Sequence, residues 1–282
     1  MYVNSEQGVI IMIKLGVNSV LFKTVDFPTA AKAIKEAGYD GVEISGIKGM
    51  CEHLNLDKWR EDKPMLQWAS KEYDLPFLST EVASLDRDRL LTAFEACAEI
   101  GIPIINVGPG GKAGDEETLK VSIETIQSLA VEAEKFGVTL CCKAHVGAAV
   151  YNTPTTLALI NGVTSPAFGV DMDPSHVYRA GENPVEAIPQ VVAAAKHIHI
   201  RDCADHKGEL GGGPGSPKQQ TCGRTDIDLF GFIKALVDGN YDGPVCLEVI
   251  GPELNITSAA IVAAESRGYL NALLKIAYAQ KG

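Results

Sequence analysis

The chain has 282 residues, 46% of them apolar, and a net charge of −11. That is enough for one large α/β domain with a sizeable core. No basic run interrupts the acidic balance, which argues against nucleic acid as a partner, since phosphate neutralisation needs clustered Lys and Arg. The opening stretch MYVNSEQGVIIMIKLG holds a short apolar run, Val9 to Ile13, with no basic residue before it. It reads neither as a secretion signal nor as a membrane span. Residues 1–12 are expected as a short N-terminal extension, with Met12 an alternative start, and residues 13–282 as a single domain. Seven scattered cysteines without a C-x-x-C pair read as buried free thiols of a reducing, cytoplasmic protein. Cys203 and Cys222, near polar segments, are the two to check for reactivity.

One local phrase recurs along the chain: a helical stretch, a glycine, then an apolar strand. It appears as AIKEAGYDGVEIS, ACAEIGIPIINVG, EAEKFGVTLCCK and LVDGNYDGPVCLEV. Glycine past a helix end fits a left-handed cap, and the β-rich run after it fits a strand. Eight strands are predicted, centred on Leu15, Val42, Phe77, Ile104, Leu140, Gly169, Ile198 and Leu247. Helical periodicity follows in stretches such as Phe27 to Ala37, Arg87 to Ile100, Glu116 to Phe136 and Leu229 to Val237. Eight β-then-α units read as a single-domain (β/α)8 TIM barrel. The alternative, an open doubly wound sheet, would want a glycine-rich loop after the first strand, and GVNSVLFKT is not one.

In a barrel, polar residues at the C-terminal strand ends line the active site. Strand five ends in Lys143 and His145, two apart and so on one face. Strand six ends in Asp171 and Asp173, with His176 following. Strand seven places His197, His199 and Arg201 on one face, and strand eight carries Glu248. Earlier strands add Asn18, Glu43, Glu81 and Asn106. Asp173, His199 and Glu248 are expected to converge on a hard or borderline divalent ion such as Mn²⁺, Mg²⁺, Co²⁺ or Zn²⁺. Asp171 and His197 lie deeper and are expected to support or pack.

The run D-P-S-H, then H-I-H-I-R-D, then C-G-R-T-D-I-D, then V-C-L-E resembles the sugar phosphate isomerase/epimerase superfamily of xylose isomerase-like TIM barrels. The resemblance covers Leu15 to about Ala277. It implies metal-ligand roles for Asp173, His199 and Glu248, with Glu248 also a catalytic base. His176, Arg201, Arg224 and Glu81 are the implied substrate contacts. Gly223 and Asp226 match the family's loop before the seventh helix, where Thr225 replaces a glycine. Lys143 is the departure: most members place a ligand glutamate there, and an ammonium has no lone pair. Either the ion keeps three protein ligands, or His145 supplies a fourth. KAHVGA also resembles the corresponding stretch of the inosose dehydratase branch, and a related branch cleaves 3-oxo-C-glycosides.

The implied chemistry is proton removal beside the carbonyl of a sugar or keto-sugar, through an enediolate stabilised by the ion, Mn²⁺ foremost. Reprotonation makes an isomerase or epimerase, and loss of a β-leaving group makes a dehydratase or lyase. His145 is the expected general base and Lys143 a donor to the oxyanion or leaving group. A bland alternative pairs Lys143 with Glu81 or Glu43. A non-catalytic sugar-binding subunit is the alternative outside enzymes. Expected partners are a small carbohydrate and a second copy of the chain, or a different subunit, with no membrane. The glycine-rich segment 206–225 is expected as a lid or a surface loop, and VGPGGKAGDEE as a loop at the barrel mouth.

Overall fold

The computed structural model describes residues 2–5, 8–11, 13–204, 208, 210 and 212–281. Eight parallel strands form a closed ring: β1 (Lys14–Asn18), β2 (Gly41–Ile47), β3 (Phe77–Glu81), β4 (Ile104–Val107), β5 (Thr139–Lys143), β6 (Phe168–Met172), β7 (Ala195–Ile200) and β8 (Pro244–Leu247). Each pairs with its sequence neighbour, and β8 pairs back onto β1. The eight predicted strands are these eight. Before the ring, Tyr2–Ser5 pairs antiparallel with Gly8–Ile11 as a separate two-stranded sheet.

Helices follow the strands: α1 (Phe27–Glu36), α2 (Trp59–Glu72), α3 (Arg87–Ile100), α4 (Glu116–Lys135), α5 (Thr153–Gly162), α6 (Pro174–Arg179), α7 (Pro184–Val191), α8 (Pro217–Gln220), α9 (Leu229–Asp238) and α10 (Ile256–Ala279). Their starts repeat one device, an Asp or Asn side chain accepting from a first-turn N–H, as Asp26, Asp86, Asp115 and Asn255 do. Glycine ends α3, where Gly101 takes φ 96°. No helix among the described residues is long and apolar enough to cross a membrane.

Period-two alternation sorts the strand residues into two environments. Val17, Ile44, Ile105, Leu140, Val170, Ile198 and Leu247 are buried in the apolar core, packed with residues from the helices. Asn18, Glu43, Ser79, Asn106, Asp171, His197 and His199 alternate with them and are fully buried, so the interior of the ring is polar. Leu78 plugs its floor. A Cβ at Gly41 would lie 2.6 Å from Leu78 Cγ, and one at Gly16 would lie 2.7 Å from Leu78 Cδ1. Glycine at both positions makes room for the plug.

The long connection after β7 is only partly described, since residues 205–207, 209 and 211 of the predicted glycine-rich segment lie outside the described set. Its later part is ordered around one carboxylate. Asp202 Oδ2 accepts from the N–H groups of Gly223 and Thr225 at 3.0 Å each, and Oδ1 accepts from Ile227 N–H at 3.2 Å. Thr225 contributes only its N–H to Asp202, and its φ is not positive. A second glycine is therefore not required there.

Candidate active site

A cavity of about 290 Å³ opens at the C-terminal ends of the strands. Glu81, Lys143, His145, His176, Arg201 and Glu248 line it, together with Gly108, Pro109 and Gly110 of the loop after β4. Six of the expected site residues thus meet in one place. The volume sits at the lower end for small-molecule sites.

Lys143 ends β5 with its side chain turned inward and 5% exposed. Its Nζ lies 2.8 Å from Glu81 Oε1 and 2.9 Å from Glu248 Oε1. The pairing with Glu81 is the bland alternative raised from the sequence, and Glu248 joins it in the structure. Arg201, 1% exposed, sits on the other side of Glu248. Its Nη1 is 3.0 Å from Glu248 Oε2 and its Nη2 is 2.8 Å from Asp173 Oδ2, both ion pairs without hydrogen-bond alignment. Its Nε donates to Ser175 Oγ at 2.7 Å, a residue that sequence reasoning passed over. Asp173 itself caps α6, accepting from Ser175 N–H at 2.8 Å.

These contacts set the charge states. Burial pushes Lys143 down, but Glu248 and Glu81 outweigh it, and the ammonium is held above its usual range. Burial pushes Glu248 up, but Lys143 and Arg201 outweigh that and hold it ionised, well below the carboxylate range. Glu81 behaves oppositely: burial and then repulsion from Glu248 raise it to about 8. At neutral pH one partner of Lys143 is therefore a carboxylic acid and the other a carboxylate.

His145 is exposed at the rim, with its ring 4.2 Å from the ring of buried His176. Its Nδ1–H donates to Val146 O at 2.9 Å, which leaves the lone pair on Nε2. Partial burial and then the Lys143 charge lower its pKa, so the ring is neutral at pH 7. His176 is driven well below the usual value, by burial first and Arg201 second. Its Nδ1 accepts from Val146 N–H at 3.1 Å.

Beneath the cavity lies a second polar layer. His199 Nδ1 is 2.5 Å from Asp171 Oδ2, and its Nε2 is 2.5 Å from Glu43 Oε2. His197 Nδ1 is 3.1 Å from Asp171 Oδ1, and its Nε2 is 2.9 Å from Ser79 Oγ. Asn18 bridges Glu43 and Glu81 at 3.0 Å each. Burial works against the charge on His199, but Asp171 and Glu43 overcome it and raise its pKa well above the ordinary imidazole value.

Three buried groups among the described residues carry donors close enough to share a divalent ion: Glu81 with His199 and Glu248; Asp171 with His197 and His199; and Glu43 with His197 and Cys246. Asp173, expected as a ligand, is in none of them, because its carboxylate is turned to the α6 start and to Arg201. The donor types suit an ion. In the two groups that contain His199 the space is taken: Lys143 Nζ already bridges Glu81 and Glu248, and both His199 nitrogens face carboxylates.

Arg224, expected at the substrate, is not among the residues lining the cavity. It is exposed and bidentate on Glu265 of α10, at 2.6 Å for both contacts. The turn wound on Asp202 places it there. All seven cysteines are buried and free. Burial raises Cys203 to about 11 and pushes Cys222 up as well, so neither is a ready thiolate.

The family model described as Xylose isomerase-like TIM barrel matches residues 31–273. An inosose dehydratase of Clostridium perfringens is 25% identical over 268 residues, covering 84% of this chain and 89% of that protein. A solved structure described as IOLI protein with a binding zinc atom superposes with a TM-score of 0.75 at 19% identity, covering 93% of this chain and 99% of its own. A D-psicose 3-epimerase solved in the presence of D-fructose gives a TM-score of 0.75 at 15% identity, with the same coverage of 93% and 99%.

Proposed function

The chain belongs to the xylose isomerase-like TIM barrel family, and on that premise we propose that it is an enzyme that removes a proton beside the carbonyl of a sugar or keto-sugar. The observation that carries this reading is His145: a neutral imidazole at the cavity rim, its lone pair fixed on Nε2 by the bond to Val146 O. Nε2 takes the C–H proton, and the electron pair moves onto the carbonyl oxygen. Glu81, still protonated at neutral pH, supplies the proton that completes turnover. Delivery to carbon gives an isomer or epimer. Delivery to a β-hydroxyl expels water. Afterwards His145 holds the proton taken from the substrate carbon and Glu81 is ionised, and one proton transfer from His145 to Glu81 resets the pair. Glu248 does not serve as base here, because each of its oxygens faces a cation. The sequence pointed to an ion with manganese foremost, but no step in this reading passes through one.

Elimination is the second reading, favoured by curated relatives described as inosose dehydratases. Incubation of ketoses and inososes with the enzyme in D₂O tests both. Deuterium entering the carbon beside the carbonyl supports the first step, and a product lighter by one water assigns the dehydratase branch. His145→Ala is expected to slow exchange by about 10²–10⁴-fold. Unchanged exchange in that variant removes His145 from the mechanism, and no exchange with any substrate of the panel removes the proposed function.

A further inference from the structure

We propose that Lys143 and Arg201 stand in the place of a divalent ion, so that two side-chain cations neutralise the carboxylates of this site and polarise the substrate carbonyl. The role at the carbonyl rests on the proposed reaction; the exclusion of an ion does not. An ion shared by Glu81 and Glu248 would sit about 2.1 Å from one oxygen of each. Lys143 Nζ lies 2.8 and 2.9 Å from Oε1 of those two residues. An ion bound to those atoms would then be no more than about 5 Å from the ammonium. Both oxygens would have to serve two cations in a water-poor site, where like charges repel strongly. Turning Glu248 does not relieve this, since its Oε2 is held by Arg201 Nη1 at 3.0 Å. Asp173, another carboxylate at the same strand ends, is held by Arg201 Nη2 at 2.8 Å. The remaining donor, His199, faces Asp171 and Glu43 on its two nitrogens.

The same contacts leave a function for the cations. An ammonium has three N–H donors, and Glu81 and Glu248 take two. Among the described residues the third has no partner and can donate to a substrate oxygen in the cavity that Lys143 and Arg201 line. A fixed donor of positive charge where an oxyanion forms does the work that a Lewis acid would do.

Calorimetry with Mn²⁺ and with Zn²⁺ on the EDTA-treated protein, without substrate, tests this. The native chain is expected to bind neither ion at micromolar concentration at this site. Lys143→Glu removes the ammonium and adds a ligand, and is expected to bind Mn²⁺ at least about 100-fold more tightly than the native chain. Lys143→Gln, which removes the charge without adding one, is expected to move in the same direction and covers the case in which the glutamate variant does not fold. One equivalent of either ion bound by the native chain with a micromolar Kd overturns the inference, whether or not the protein turns over a sugar. Variants that bind no better than the native chain overturn it too. Deuterium exchange by the native chain that survives EDTA supports the role at the carbonyl, and exchange that needs added Mn²⁺ or Zn²⁺ refutes it.

Discussion

Lys143 alters what each of its neighbours can do. By gripping Glu248 it keeps that carboxylate ionised, and burial, with the ionised Glu248 second, keeps Glu81 protonated to about 8. Its charge also lowers His145. A base that must be neutral and an acid that must hold its proton give a bell-shaped dependence of rate on pH. Activity is expected to rise as His145 loses its proton, below the ordinary imidazole range, and to fall as Glu81 loses its own at about 8. Glu81→Gln is expected to abolish the alkaline fall along with most of the rate. An alkaline limb that persists in that variant, read from the profile of kcat/KM, assigns the fall to another group. Of this the sequence offered His145 as the base and, as one alternative, the Lys143–Glu81 pair; the grip on Glu248 and the charge states that follow were not legible in it. The pattern placed Lys143, His145, Arg201 and Glu248 at the mouth, but which cation met which carboxylate depended on side-chain reach across the ring. Arg201 belongs to β7 in pattern yet spends its donors on β8, on Ser175 and on the start of α6.

At the level of elements, the strands were readable because two signals agreed: apolar alternation, and glycine at the preceding helix end, as at Gly101 and Gly137. Loops were less readable. Position in the chain put Arg224 in a loop that could have faced the substrate, and only the winding of that loop on Asp202 turns it outward. Likewise Asp173 lies one residue past the end of β6, where a strand-end ligand and a helix cap look alike in sequence. The loop after β4 gives a sharper case. Gly111 takes φ 64°, and a Cβ there would meet Ala149 Cβ at 2.7 Å and Thr118 Cβ at 2.9 Å. It locks the GPGG turn against the loop that carries His145; Ala149 N–H donates to Gly110 O at 2.8 Å. Gly111→Ala is expected to cost about 1–3 kcal/mol in urea unfolding, from backbone strain and overpacking together. The exchange rate should fall as well, because the wall of the cavity shifts. A variant with native stability would show that the two loops part without penalty.

Across the whole molecule, the polar interior ties stability to pH. Asp171, Glu43 and Glu248 have pKa values below their ordinary ones, held there against burial by their cationic neighbours. Their contribution is present above the ordinary carboxylate range and is lost as pH falls through the folded values. His199 has the opposite sign: its contribution is complete below the ordinary imidazole value and is lost as pH rises through its raised one. Glu81 acts in the same direction as His199, losing its contribution between the ordinary glutamate value and about 8. The melting temperature is therefore expected to be highest in mildly acidic solution and to drop steeply below pH ~4. Asp171→Asn strips His199 and His197 of a shared partner and is expected to destabilise by about 3–5 kcal/mol. A loss below 1 kcal/mol would place the strength of the layer elsewhere.

The ring closes by bringing together its beginning and its end. β1 lies between β2 and β8, and the Ile13 N–H donates to Tyr278 Oη, 265 positions along the chain. During synthesis, the first strand emerges with one of its two partners still unmade. That open edge must be shielded until β8 has left the ribosome. Chains stopped before Pro244 should accumulate in chaperone-bound or insoluble form rather than as a shortened barrel.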